Sequence, residues 1–280
     1  MITGMYQTSI GAQNHRSHRG DGYHLPAPAR TLPEYFRDAG YYTCNAAGLE
    51  QHKPGKTDWN FAVDGPAFDG TDWSGRAPGQ PFYAQINFHY THRPFERDRE
   101  RPINPDAVTL PLYYPDHPVA RRDWADYLES AQLLDKQIGE VLARLDAEGL
   151  AENTLVLYFG DHGRPHVRGK AWLYEGGIHI PLLARWPERL APGAVREDLV
   201  SSVDFAPATL AAAGVAIPAC MQGRDFLARD VAPRAEIFAA RDRCDETVDR
   251  IRCVRTNRHK LIRNYYPERP YTQFNAYRAS

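Results

Sequence analysis

The stretch LVLYFGDHGRPHVRGKAWLYEGGIHIPLLARWP, residues 155–187, carries the pattern that decides the fold. Its first five residues, 155–159, are apolar and typical of a buried β-strand that stops at a glycine. Asp161 and His162 follow directly, and Lys170 comes later in the same loop. In α/β proteins, ligands bind beyond the carboxyl ends of strands. The stretch therefore predicts a polar site at a strand end.

The rest of the chain alternates helical and strand patterns. Thr31 and Glu34 form a capping box that begins a short helix, and residues 41–44 and 81–88 have the composition of strands. Apolar residues recur at three- and four-residue steps over 124–145, which predicts a helix of roughly seven to eight turns. This alternation predicts an α/β fold with a mostly parallel central sheet flanked by helices.

Composition excludes some classes of function. The 280 residues carry a formal net charge of -1, so no global basic field is present to hold nucleic acid. No apolar run approaches the length of a membrane span. None of the four cysteines forms a C-x-x-C pair, which argues against a structural zinc site, while a disulfide between Cys244 and Cys253 stays open.

Chemically distinctive residues follow three predicted strands. Lys56 comes after a glycine, His92 precedes Arg-Pro, and Asp161 and His162 can bind one cation together. Each alone is compatible with an exposed lysine, a structural histidine or an ordinary Asp turn. Together with Lys170 they place cations around a metal-capable pair. That arrangement suits a tetrahedral oxyanion and suggests phosphoryl or sulfuryl ester chemistry.

Several segments carry a family resemblance in the right order and spacing. ITGMYQTSIG, GKTDWNF, THRPF and the block from GDHG to ARWP resemble the type I sulfatases of the alkaline phosphatase superfamily. The resemblance covers nearly the whole chain. It implies one sulfatase-like α/β catalytic domain over residues 1–280, incomplete at its N-terminus, in which 235–280 begin the C-terminal part.

The resemblance also implies roles for the residues singled out above. Asp161 and His162 match the positions that bind a divalent metal, usually Ca²⁺. The imidazole leaves Mn²⁺ or Zn²⁺ open. Lys56 and Lys170 match lysines that contact the sulfate, and His92 matches a histidine that contacts the sulfate or protonates the leaving oxygen. These three residues are the candidate catalytic and substrate-binding groups.

Two departures from the family pattern stand out. A histidine of many members is replaced by Asp58. The family's nucleophile is a formylglycine made from the cysteine or serine of Cys/Ser-x-Pro-x-Arg, and none of the four cysteines here has Pro-x-Arg after it. We therefore expect the chain to be a part of a sulfatase, truncated at both ends and inactive on its own. An export signal would lie ahead of Met1, so a periplasmic or secreted location stays open.

Three readings of the sequence remain. The first is a metal-dependent sulfuric ester hydrolase acting on a small-molecule or carbohydrate sulfate ester, such as an aryl sulfate, a sulfated sugar or choline sulfate. The second is a phosphonate or phosphodiester hydrolase of the same superfamily. The third is a non-catalytic fragment that only binds oxyanions or does not fold alone. The sequence leaves the oligomeric state open.

Overall fold

A computed structural model describes residues 1–18, 20–187, 189–244 and 247–269, which contain eight strands and four α-helices. The α/β class predicted from the sequence is confirmed. Residues 270–280 of the predicted C-terminal part lie outside the described residues. The helices are α1 (Leu32–Asp38), α2 (Pro118–Ala147), α3 (Glu175–Ile178) and α4 (Phe205–Ala212). The strands are β1 (Tyr42–Ala47), β2 (Glu50–Pro54), β3 (Phe82–Asn87), β4 (Val156–Phe159), β5 (Leu182–Arg185), β6 (Glu236–Cys244), β7 (Thr247–Thr256) and β8 (Lys260–Asn264).

Helix α1 begins at the capping box that the sequence predicts. The Thr31 backbone N–H donates to Glu34 Oε2 at 2.8 Å, and the Thr31 hydroxyl donates to the same oxygen at 2.6 Å. The apolar side of the helix buries Leu32 and Phe36 against Leu210 of α4. One core cluster therefore joins two helices that are distant in sequence.

Strands β1 and β3 form a parallel pair. Tyr42 lies opposite Phe82 and Ala47 opposite Asn87, with no shift of register between them. Both strands therefore end at the same edge. Strand β2 returns antiparallel along β1 through a bulge next to Ala47. The polar sequence of β2 gives no strand signal, so this hairpin is not predictable from local pattern.

Helix α2 covers this sheet, and its helical periodicity is confirmed. Leu145 packs with Cys44 and Trp73 in a core cluster. The buried side is less apolar than the pattern suggests, since Glu129 is only 1 % exposed and pairs with Arg122 at 2.9 Å. No described helix, α2 included, combines the length and the apolar character that a membrane span requires.

Strands β4 and β5 pair antiparallel, with Phe159 opposite Leu182. The sequence predicts a mostly parallel sheet, and the structure corrects this prediction. Among the strand pairs of the described ranges, β1–β3 is parallel and the other pairs are antiparallel. The connection over 160–181 contains only the short helix α3 and turns back at the edge where it started. A parallel pair would need a connection that crosses to the opposite edge of the sheet.

Strands β6, β7 and β8 form a separate antiparallel sheet in sequence order. The turn between β7 and β8 closes with the Thr256 N–H donating to the His259 carbonyl at 2.8 Å. None of the four cysteines, all of which lie in the described ranges, forms a disulfide. The Cys244–Cys253 disulfide left open by the sequence is not formed, because Cys244 lies opposite Thr247 while Cys253 lies further along β7, opposite Ala239.

Candidate active site

Asp161 and His162 lie in the loop that leaves β4. Asp161 Oδ1 is 3.6 Å from His162 Nε2, and His162 Nδ1 is 2.7 Å from the carbonyl oxygen of Gly163. A carbonyl only accepts hydrogen bonds, so Nδ1 carries the proton and Nε2 presents its lone pair towards the carboxylate. A Cβ on Gly163 would lie 1.9 Å from the Gly176 carbonyl oxygen, so only glycine lets these two segments meet.

Lys56 is held at the shared end of β1 and β3. Its N–H donates to Asn87 Oδ1 at 2.9 Å, and Asn45 Nδ2 donates to its carbonyl at 3.3 Å. A Cβ on Gly55 would lie 2.2 Å from Asn45 Oδ1 and 2.6 Å from the Ala46 carbonyl oxygen. Gly55 is therefore required for close approach.

Lys170 comes from the same loop as Asp161 and His162. Its N–H donates to the Arg164 carbonyl at 2.8 Å, which folds the loop back on itself. Burial lowers the pKa of His162 below its usual value, and the charges of Lys170 and Lys56 lower that pKa further. Both lysines therefore lie within electrostatic range of one imidazole, although they are distant in sequence.

His92 is exposed, and its Nδ1 lies 2.7 Å from the Arg93 carbonyl oxygen. The Arg93 side chain anchors this segment. Its Nε donates to the Pro165 carbonyl at 3.0 Å, and its two terminal nitrogens donate to the Asp123 carboxylate at 2.7 and 2.6 Å. Pro165 follows closely after Asp161 and His162, so Arg93 attaches the His92 segment to the loop of the metal-capable pair.

Lys56 and Lys170 thus both act on the charge of His162, and Arg93 ties the His92 segment to Pro165, in the loop that carries Asp161 and His162. Asp58, which stands where many sulfatases have histidine, has its Oδ1 3.5 Å from the Lys56 ammonium. Sequence reasoning missed the anchoring pair of Arg93 with Asp123. A loop residue paired with a residue on a distant helix leaves no periodicity or motif to detect.

The metal-capable pair has a donor set that fits a divalent cation in part. A carboxylate oxygen and an imidazole nitrogen face each other, and the other ring nitrogen is fixed by a carbonyl, as in metal-binding histidines. Within the described ranges, no cluster of three or more His, Cys, Asp or Glu side chains could hold a metal. Asp161 and His162 would therefore supply two ligands, fewer than the six to eight oxygens that Ca²⁺ takes.

Solved structures define the class of fold to which this arrangement belongs. The phosphonate monoester hydrolase of Agrobacterium radiobacter superimposes with a TM-score of 0.71 at 16% identity, covering 94% of this chain and 76% of that chain. A structure solved in complex with its substrate D-glucosamine-2-N,6-O-disulfate superimposes with a TM-score of 0.61 at 17% identity, covering 95% and 78%. The fold is alkaline phosphatase-like.

Sequence comparison then identifies the family. The sulfatase family model matches residues 1–215, and the model for the C-terminal region of N-sulphoglucosamine sulphohydrolase matches residues 160–277. The chain belongs to the sulfatase family. An ulvan-active sulfatase of Formosa agariphila is 33% identical over 322 aligned positions, covering 97% of this chain and 53% of the relative. The chain spans about half the length of that curated relative.

Proposed function

We propose that the protein takes part in hydrolysis of sulfate esters of carbohydrates. Membership of the sulfatase family supports the reaction, and two similar proteins described above are named for a polysaccharide or a sulfated sugar. The single observation that carries the proposal is that His162, 3.6 Å from Asp161, lies within the electrostatic influence of both Lys56 and Lys170. Two ammonium groups next to a metal-capable pair can offset the charge that develops on sulfate oxygens.

In this proposal Lys56 and Lys170 bind the sulfate group. Lys56 is half exposed and comes from a rigid turn, so its ammonium can reach a ligand while its backbone stays fixed. His92 is exposed at the end of an anchored segment. Its imidazole can donate a proton to the alcohol oxygen that leaves when the ester breaks.

Asp161 and His162 would hold the divalent metal that the sulfatase family implies. When bound, such a cation supplies electrostatic stabilisation of the sulfate oxygens. Ca²⁺ is the usual ion of the family, whereas the imidazole donor equally suits Mn²⁺ or Zn²⁺. The family also implies a formylglycine, for which none of the four cysteines of this sequence has the surrounding motif.

A binding titration with inorganic sulfate tests the two lysines. We expect Lys56→Ala and Lys170→Ala each to weaken sulfate binding about tenfold or more, as loss of a charge-assisted contact does. Lys53→Ala is the matched control, since Lys53 lies on the same hairpin but is exposed and pairs with Glu50 at 3.4 Å. Equal affinity in all four proteins would remove the lysines from the site.

The reaction itself is tested with the complete gene product. Sulfate release from a sulfated disaccharide, measured by ion chromatography, is expected to exceed phosphate release from the matching phosphate ester. The second candidate is hydrolysis of phosphonates or phosphodiesters, which the imidazole donor at His162 favours. Faster phosphate release would support that candidate and reject the sulfatase proposal.

A further inference from the structure

An open cavity of about 400 Å³ is lined largely by the loop that carries Asp161 and His162. Its lining includes Tyr113, Arg164, Arg168, Tyr174 and Glu175. This volume falls within the range of small-molecule sites. Gly176 of this lining packs against Gly163, the residue after His162, so the wall of the cavity touches the segment that carries the metal-capable pair.

Arg168 occupies an unusual position in this cavity. Its φ of +60° lies in the left-handed region, which side chains other than glycine rarely adopt. Its guanidinium lies 4.3 Å from the ring centroid of Tyr174 and 5.1 Å from that of Tyr113. Strained backbone of this kind persists where the surrounding structure holds it and is frequent at ligand sites. Contact with the rings of Tyr174 and Tyr113 fixes the orientation of the Arg168 guanidinium plane.

Arg164 provides the second cation. Its guanidinium donates to the Tyr113 hydroxyl and lies 5.4 Å from the Trp124 ring centroid. A Cβ on Gly176 would lie only 3.2 Å from an Arg164 terminal nitrogen, so the glycine makes room for the guanidinium. In the part of the chain that the structure describes, neither Arg164 nor Arg168 forms a salt bridge with a carboxylate.

Glu175 is the one carboxylate among the lining residues, and other groups already compensate its charge. Lys260 forms a close ion pair with it, and Arg255 lies 3.6 Å from its second oxygen. Both partners come from the β6–β8 sheet. The cavity is therefore left with two uncompensated guanidinium groups beside aromatic rings.

We infer that this cavity is a subsite for a second anionic group, a carboxylate or a further sulfate, on the saccharide that carries the scissile ester. The inference rests on the proposed carbohydrate sulfatase function and narrows its substrate class. Planar guanidinium groups bind carboxylate and sulfate through paired hydrogen bonds. The tyrosine rings offer flat apolar surfaces to the sugar. A sugar with the scissile sulfate as its single charge, or an aryl sulfate, leaves both cations unpaired.

Isothermal titration calorimetry with three disaccharides tests the subsite. One disaccharide carries a sulfate ester on one sugar and a uronate on the other. The second is its analogue with the uronate reduced to a neutral sugar, and the third has a second sulfate in place of the uronate. We expect one or both dianionic ligands to bind about tenfold more tightly than the monoanionic analogue with the reduced uronate. The arm with the higher affinity identifies the anionic group.

Variants assign the preference to the guanidinium. Arg168→Ala should remove the preference and leave the affinity for the monoanionic analogue unchanged, while Arg168→Lys should retain part of the preference. Arg250→Ala is the matched control, because Arg250 is an exposed arginine stacked 5.0 Å from the Tyr265 ring. Arg250 lies on β7 roughly 16 Å along the strand from Arg255, as calculated from the usual rise per residue.

Three outcomes separate the inference from the proposed function. Equal binding of dianionic and monoanionic ligands by the wild-type chain overturns the subsite alone and needs no variant to fold. The same holds if Arg168→Ala keeps the full preference. Failure of all three disaccharides to bind overturns the carbohydrate sulfatase proposal and the subsite with it.

Discussion

Replacing Arg93 with alanine should loosen the attachment of the His92 segment and destabilise the fold. Arg93 makes two hydrogen bonds to the Asp123 carboxylate, at 2.7 and 2.6 Å, and one to the Pro165 carbonyl, at 3.0 Å. Its guanidinium also lies 4.6 Å from the Phe95 ring centroid. The substitution removes all of these contacts at once and leaves Asp123 with His166, 3.3 Å away, as a neighbouring partner.

The size of the effect follows from exposure. The Arg93 and Asp123 side chains are 25% and 33% exposed, so their pair lies between a surface salt bridge and a buried one. We assign about 2 kcal/mol to the paired charge-assisted bonds and about 1 kcal/mol to the bond with the carbonyl. The ring contact adds about 0.5 kcal/mol. Arg93→Ala should therefore lower the free energy of unfolding by about 3.5 kcal/mol.

Urea unfolding followed by tryptophan fluorescence measures this change. Arg93→Lys keeps the charge but not the planar fork, so its free energy of unfolding should fall between wild type and Arg93→Ala. Arg97→Ala is the control, since Arg97 is 61% exposed and pairs with Asp126 at 2.8 Å. It should cost at most about 1 kcal/mol. If Arg93→Ala costs no more than Arg97→Ala, the anchoring argument is wrong.

The same pair predicts a dependence on pH. Burial opposes ionisation of Asp123, but His166 and Arg93 outweigh it and hold the pKa of this carboxyl below its usual range. A depressed folded pKa contributes stability that is present above the unfolded pKa, ~3.9, and is lost as the pH falls below it. The deficit of Arg93→Ala relative to wild type should therefore be full at pH 7 and shrink in acid. A deficit that grows on acidification would contradict this sign.

Three further predictions concern other parts of the molecule. Gly55→Ala should lower the free energy of unfolding by about 1–3 kcal/mol because its Cβ would overlap three oxygens, whereas Gly139→Ala, in open space on α2, should raise it by up to about 1 kcal/mol in the same urea assay. Asp161→Ala should reduce the divalent metal content of the complete gene product, and equal content by elemental analysis would refute the ligand assignment. Burial raises the pKa of Cys44 to about 12, so iodoacetamide at pH 8 should modify the partly exposed Cys220 well before Cys44, as peptide mass mapping would reveal; the reverse order would contradict the burial of Cys44.

Local patterns predicted those elements whose cause is local. The capping box at Thr31 and the three- to four-residue apolar repeat of α2 act within one turn of the chain, so the sequence displays them directly. Strand β2 escaped prediction because its residues are polar and its pairing with β1 alone makes it a strand. The direction of β5 relative to β4 depends on how residues 160–181 turn back, which no short-range pattern encodes.

The residues of the candidate site were likewise predictable only where they belong to a local motif. Asp161, His162 and Lys170 fall within one motif, and sequence alone suffices to name them. Their surroundings were not predictable, because Arg93 meets Asp123 across two elements. Glu129 was equally hidden, since its place on the apolar side of α2 depends on a partner, Arg122, that satisfies its charge.

The segment 160–181 begins after Phe159 and ends before Leu182. These two residues lie opposite each other in the antiparallel β4–β5 pair. Residues paired in this way lie about 5 Å apart, so the segment is a loop whose two ends lie close together. The sequence of this loop can change without moving β4 or β5. A laboratory-evolution library confined to it would vary ester binding and saccharide preference together. Exchanging this segment between homologues also requires Arg255 and Lys260, because these residues supply the positive charges that pair with Glu175. Transfer of selectivity would thus require two separate segments, 160–181 and the strands that carry Arg255 and Lys260. A chimaera that receives only segment 160–181 has Glu175 without these two partners.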